Sequence, residues 1–458
     1  MNKNKKSKWI ILIVLTAIIG VLLICALRNV IGDGGIDFMS VDRSILGILT
    51  VFLIIVLLLL GALLCVILFS KNDGETIHAN IVADSVSSLQ SKADDTVILA
   101  DRFCMLSEID KKKSEYGHAK YDGGITLEGI CENFRNYTAN KLKLYYEIDD
   151  IRRFIAGMSV SRILILQGMS GTGKTSLAHA FGSYIDNPST VIPVQPMWKE
   201  RTDLIGYYNE FTKRFNETLL LRKMYEANYS KDMYITVLDE MNIARVEYYF
   251  AEFLSLLELP DPNERYLDVV TDKWDTDPVQ LKDGRIRLPK NMWFIGTANN
   301  DDSTFSISDK VYDRAMVLDL DKKSERFAAP VTKKLHISAD QFESLVESAL
   351  KEHEISKRNQ KRLEELDKYL IDHFHITFGN RIMKQIRTYI PVYISCGGDE
   401  LCALDDILSK KVIRKLETQN PIYLRNSAEG LINYIDELFG KDKMPICKEH
   451  IRRIERNA

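Results

Sequence analysis

The chain has 458 residues, enough for a large core and two or three domains. Its 61 basic and 64 acidic residues leave a net charge of −3, which excludes a globally basic binder of nucleic acid or acidic lipid. The seven cysteines (25, 65, 104, 131, 396, 402 and 447) form no C-x-x-C pair and no Cys/His ligand spacing, so they read as free thiols in a reducing compartment and argue against a structural zinc.

Two uncharged runs come first: "WIILIVLTAIIGVLLICAL" at 9–27 and "SILGILTVFLIIVLLLLGALLCVILFS" at 44–70. Each is long enough to cross a hydrocarbon core, and the first exceeds the apolar region of a cleaved signal peptide. Lys3, Lys5, Lys6 and Lys8 precede it, and positive residues stay on the cytoplasmic side. The expectation is a membrane protein with a two-helix transmembrane hairpin at 1–70, its N-terminus and everything after Lys71 being cytoplasmic.

Residues 71–125 are polar and mixed, which predicts a linker with a short helix at 81–89. Apolar residues at 127, 130, 131 and 134, then at 144, 148, 151 and 155, predict two helices. Strand-like runs at 162–167, 190–194, 233–238, 292–297 and 316–320 then alternate with helical ones. That alternation predicts an α/β domain over 126–330, a parallel sheet with helices on both faces. "VQLKDGRIRLP", 279–289, reads as a hairpin with Asp-Gly at its turn. Beyond Pro330 only helical patterns remain, predicting an all-α lid and C-terminal helices over 331–458, at 338–352, 357–373, 380–394, 403–416 and 427–439.

The stretch "ILQGMSGTGKTSL", 165–177, fits the phosphate-binding P-loop at every fixed position: Gly168, Gly173, Lys174 and Thr175. Its glycines let backbone N–H groups turn inward around phosphates, Lys174 reaches the terminal phosphates, and the Thr175 hydroxyl binds magnesium. The loop residues Gly168, Met169, Ser170, Gly171, Thr172, Gly173, Lys174, Thr175 and Ser176 are thus the expected nucleotide site, at the N-terminus of a helix. "MYITVLDEMN", 233–242, delivers Asp239 to the metal and Glu240 to the attacking water as its base. A third apolar strand, "NMWFIGTANND", ends at Asn299, whose amide can hold the same water or sense the γ-phosphate.

These residues resemble the AAA+ ATPases, within them the dynein-related branch, and most of all the nucleotide-hydrolysing subunit of methylcytosine-dependent restriction systems. The resemblance is carried by "GMSGTGKTSL", "LDEMNIARVEYYFAEFLSLLE", "GTANNDDSTFSISDKVYDRA", "FGNRIMKQI" and "LSKKVIRKLE", and covers 126–416. It implies ATP and Mg as cofactors, with Lys174, Thr175, Asp239 and Glu240 in the roles given above. Asn299 would be the sensor-1 asparagine, Arg314 the arginine finger acting on a neighbouring subunit's nucleotide, and Arg381 sensor 2. A homo-oligomer, expected as a hexameric ring, follows, acting on an unknown protein or nucleic-acid substrate. The loop at 196–211, with Trp198 and Tyr207, either faces a central pore or packs as an ordinary connection.

Two other readings stay open at this point. Restriction relatives use GTP, and Asn299 and Asp302 keep the ends of their Asn-x-x-Asp segment. A nucleotide-gated scaffold with little turnover is the other, which the presence of both Lys174 and Glu240 disfavours.

Overall fold

The computed structural model describes residues 101–457 apart from 119, 300–303 and 322–323. In chain order its main elements are α1 (Cys104–Lys111), α2 (Leu127–Tyr137), α3 (Ile148–Val160), β1 (Ile163–Gly168), α4 (Lys174–Tyr184), β2 (Thr190–Pro193), α5 (Leu219–Ala227), β3 (Tyr234–Asp239), β4 (Met292–Asn299) and β5 (Met316–Asp319). Helices alone follow: α6 (Ala339–Glu352), α7 (Lys357–Phe374), α8 (Gly379–Ser395), α9 (Glu400–Lys411), α10 (Pro421–Phe439) and α11 (Pro445–Asn457). Shorter helical turns and two small antiparallel sheets fill the connections.

All five main strands are parallel, in the order β5-β1-β4-β3-β2. Every residue of β1 is buried, because parallel strands joined by helical crossovers are covered on both faces. Successive side chains point to opposite faces, so Leu164 and Leu166 join one core while Ile163 and Ile165 join the other. Trp293 and Ile295 of β4 divide from Met292 and Phe294 in the same way. The first core runs without a break from the sheet into the helices beyond 339, and around Phe134, Phe154, Phe181 and Tyr184. The second gathers α1, α5 and the 246–256 helical turns around Phe250, Phe253 and Phe294.

Strand and helix positions follow the sequence periodicity closely. The 279–289 hairpin forms with Asp283 and Gly284 both at positive φ, as its tight turn requires, and gains a third strand at Tyr266–Asp268. The segment expected as a polar linker differs from 101 onward. Arg102 donates from Nε and Nη2 to the Asp277 carboxylate at 2.7 and 2.6 Å, and Phe103 stacks on Phe215. The Glu217 carboxylate accepts the first-turn N–H groups of Cys104, Met105 and Leu106, so a distant acid caps α1 and binds it to the core.

The expected membrane location is corrected here. No helix among the described residues is long and apolar enough to cross a membrane, so a two-span membrane protein has no support in the structure. The two apolar runs, 9–27 and 44–70, lie outside those residues, as does the helix expected at 81–89.

Trp293 is fully buried where β4, α3 and α6 meet. Its Nε1–H donates to the Met158 carbonyl at 2.9 Å, the Arg162 guanidinium lies over its ring, and Phe342 meets it edge-on. Trp293→Ala should therefore lower stability by about 3–5 kcal/mol, the scale of a large aromatic cavity. Chemical denaturation of the two chains checks it.

Candidate nucleotide site

The parallel register brings the carboxyl ends of three strands to one edge of the sheet. Gly168 of β1 lies opposite Asn299 of β4, and Asp239 ends β3 on the other side of β4. Open parallel sheets bind ligands at this edge. Gly168 leaves β1 at φ +142, where a Cβ would come within 2.6 Å of the Leu320 carbonyl oxygen. Only glycine lets the chain turn there. Gly173 precedes α4 at φ +93, with the Tyr146 hydroxyl donating to its carbonyl at 3.1 Å. Burial pushes the Tyr146 phenol up, so it stays a neutral donor.

Met169, Ser170 and Gly171 at the crest of the loop are exposed, while Lys174 is buried beneath it. The Lys174 ammonium donates to the carbonyls of Gly168 (2.9 Å) and Met169 (2.7 Å), folding the loop over itself. Thr172 Oγ1 closes the turn by donating to the Met169 carbonyl. Ser176 sits in the first turn of α4, whose leading N–H groups have no partner within the helix.

Thr175 Oγ1 donates to Asp239 Oδ1 at 2.7 Å, joining the loop to the acidic strand. Thr297 of β4 donates to the same oxygen at 2.8 Å and accepts the Glu240 N–H at 2.9 Å. Glu240 holds a left-handed backbone (φ +52) just past the strand, and its side chain is exposed at this edge. Asn242, buried beside it, donates to the Asn299 carbonyl (2.9 Å) and accepts the Asn299 N–H (3.3 Å). Lys174, Thr175, Asp239, Glu240 and Asn299 are thus brought together. Thr297, Asn242 and Tyr146 are the supports that the motifs alone do not disclose.

Arg314 and Arg381 are elsewhere. Arg314 precedes β5, and its carbonyl accepts from Ser161, two residues ahead of β1. It therefore lies level with the start of β1, seven residues before Gly168 and roughly 20 Å from the loop at strand rise. Arg381, in the first turn of α8, meets it there. Both guanidinium groups share one carboxylate: Glu258 Oε2 lies 2.8 Å from Arg314 and Oε1 lies 2.5 Å from Arg381. They line a cleft of about 1020 Å³ with Arg162, Arg265, Arg287 and Lys384.

The turn bearing Arg314 is held by the lid helices. Lys411 of α9 donates to the carbonyls of Tyr312 (2.8 Å) and Ala315 (2.5 Å), and Gln385 of α8 donates to that of Asp313. Burial, with Arg414, Arg381 and Lys415 close by, outweighs nearby Asp313 and brings the Lys411 ammonium down to about 7.

The AAA domain of the dynein-related subfamily matches residues 163–315, and a domain of unknown function (DUF8727) matches residues 332–458. Residues 163–315 are an AAA+ domain. The chain thus carries an AAA+ nucleotide-hydrolase module, its β5-β1-β4-β3-β2 sheet followed by an all-helical region. No curated protein sequence matches the chain. Among solved structures it is similar to a candidate ATPase from Cytophaga hutchinsonii ATCC 33406 at 13% identity and a TM-score of 0.43, over 72% of this chain and 96% of that one. A full-length MCM homologue from Methanopyrus kandleri is similar at 9% identity and a TM-score of 0.32, over 67% of this chain and 58% of that one. Likeness at that level says nothing of activity.

Two outcomes follow from this geometry. Thr297→Val keeps the shape but removes the hydroxyl that aligns Asp239 with Glu240, so turnover should fall by about tenfold to a hundredfold with nucleotide affinity little changed. Steady-state kinetics beside equilibrium titration checks it. For Lys411, the folded ammonium loses its proton near pH 7 and the unfolded one near its ordinary 10.5. Between those values the unfolded chain binds more protons, so the wild type should gain stability over Lys411→Met as pH rises from 7 toward 10. Denaturation midpoints across that range report the difference.

Proposed function

We propose that the chain hydrolyses ATP with Mg²⁺ and works as a head-to-tail ring, hexameric when closed, in which Arg314 and Arg381 of one subunit serve the nucleotide of the next. The observation that supports this is their place at the far end of β1 from the loop on their own chain. An arginine finger must reach the transferring phosphate. Neither can do so in its own chain, whereas a head-to-tail neighbour lays one such face against the opposite edge.

Within one subunit, Lys174 would leave the loop carbonyls for the terminal phosphates. Thr175 and Asp239 would hold the Mg²⁺: their oxygens lie 2.7 Å apart and are the hard donors this ion takes. When bound there, the ion neutralises charge on the phosphate oxygens. Glu240 takes the proton of the attacking water, and Asn299 positions that water. A cavity of about 320 Å³ beside α4 is lined by Leu142, Leu144, Thr175, Ser176, His179 and Val191, with no carboxylate. That cavity is where the base would sit, and the choice of ATP rests on the wider family's use of it. Residues 300–302, on which the GTP reading depends, lie outside the described residues. Likeness to the restriction subunit rests on motif residues alone.

The partner, a protein or a nucleic acid, would be engaged by the hairpin of Tyr208–Asn209 and Arg214–Phe215. Phe211 at its tip is 99% exposed and Tyr207 is half exposed, whereas Trp198 packs against Tyr249.

Glu240→Gln should retain nucleotide while turnover falls at least about a hundredfold. Arg314→Ala alone should also be inactive. Mixing the two chains should restore part of the activity at interfaces that combine Glu240 from one chain with Arg314 from the other. Wild-type turnover should rise steeply with protein concentration. No recovery on mixing, together with turnover independent of concentration, would overturn the ring.

A further inference from the structure

We propose that His118, Asp186 and His336 form a zinc site separate from the nucleotide site. The three come from segments far apart in sequence: the stretch ahead of α2, the turn after α4, and the connection into α6. One ligand atom from each lies within 4.8 Å of the other two. The Asp186 Oδ2 oxygen stands 3.1 Å from His336 Nε2 and 3.7 Å from His118 Nε2, and the two imidazoles stack at 4.4 Å. Ligands on a tetrahedral zinc, at bonds near 2.0–2.1 Å, are about 3.3 Å apart. The two separations to Asp186 lie near that value, while the stacked rings must turn for both to meet one ion.

The surroundings prepare His118 as a ligand. Its Nδ1 lies 2.8 Å from Asp232 Oδ1, and that carboxylate also accepts the Tyr121 hydroxyl (2.8 Å) and the His118 N–H (3.2 Å). Asp232 is buried and holds the His118 ring through Nδ1, which leaves Nε2 on the side of Asp186. A carboxylate behind a histidine is the usual support of a metal ligand, since it fixes both tautomer and ring orientation. At the front, Nε2 faces the Asp186 carboxylate, and a cation between them could bind both. The Lys334 ammonium is bonded to the other oxygen, Oδ1, leaving Oδ2 for a single metal bond.

Two imidazoles and one carboxylate suit zinc, with a fourth position open to water. His118 and His336 have side-chain exposures of 17% and 39%, so the site is open to the ion. Two hydrogen bonds already tie two of the segments together: Asp122 N–H donates to the His336 carbonyl, and His336 N–H to the Asp122 carboxylate, both at 2.8 Å. Metal bound here would fasten the stretch before α2 and the entry to the lid against the end of the P-loop helix. Its consequence is stability.

The test uses the full-length chain without a histidine tag, loaded with zinc chloride and then dialysed against metal-free buffer. The wild type should retain about one zinc per chain, and its melting temperature should rise by roughly 2–5 °C over the chelated protein. Cobalt in place of zinc should give the visible bands of a tetrahedral site. His118→Gln, His336→Gln and Asp186→Asn should each lose retained zinc and the zinc-dependent melting shift, while their metal-free melting temperatures stay within a few degrees of the chelated wild type. A wild type that retains no zinc would leave the cluster as paired histidines with a proton in place of the metal. Equal retention by wild type and the three variants would put the zinc elsewhere. Either result overturns the proposal.

Discussion

The parallel direction of the five strands is the constraint on which the rest depends. Because β1, β3 and β4 all run the same way, their carboxyl ends meet at one edge, and Gly168, Asp239 and Asn299 arrive there without any search by long loops. The same direction sends the residues that precede β1 and β5 to the other edge. Arg314 and the start of β1 are therefore neighbours, joined by the Ser161 hydroxyl. A sheet of this kind separates the glycine-rich loop from Arg314 and Arg381 by the length of a strand. The separation is topological, so side-chain adjustment cannot cancel it.

Most of the architecture was legible because it is written in short-range pattern. Fully buried parallel strands read as continuous apolar runs, and all five fall within two residues of their expected positions. The lid helices show the 3.6-residue spacing of one buried face. The P-loop is legible for a related reason: its chemistry depends on backbone freedom at fixed positions, and glycine at 168 and 173 records that directly. Asp239 and Glu240 show equally well, since a strand end fixes where they sit.

What remained hidden depends on contacts distant in sequence. The polarity of 101–116 suggested a linker, yet three backbone N–H groups of α1 find the carboxylate of Glu217 more than a hundred residues away. Glu258 looks like any surface acid until the fold sets it between Arg314 and Arg381. Thr297 reads as a β-branched strand residue, and only the register shows its hydroxyl between Asp239 and Glu240. Histidines at 118 and 336 have no local spacing to mark them, because their common neighbour, Asp186, lies in a third segment.

The arginine face carries a further consequence of the fold. Four successive carbonyls, from Tyr312 to Ala315, are each held by a named donor: Lys411, Gln385, Ser161 and Lys411 again. Three of those four bonds come from the lid helices α8 and α9, and Arg381 itself belongs to α8. The turn that bears Arg314 is thus fastened to the lid as firmly as to the sheet. Any displacement of the lid must carry Arg381 with it and strain or shift Arg314. On the proposed ring reading, a lid that responds to its own subunit's nucleotide would move the two arginines offered to the next. On the same reading, Glu258 would set the starting state, since both guanidinium groups would exchange its carboxylate for phosphate. The exchange replaces one anionic partner by another, so it costs far less than exposing two unpaired cations. On that reading the arginine pair would be held ready in the separate chain without being locked there.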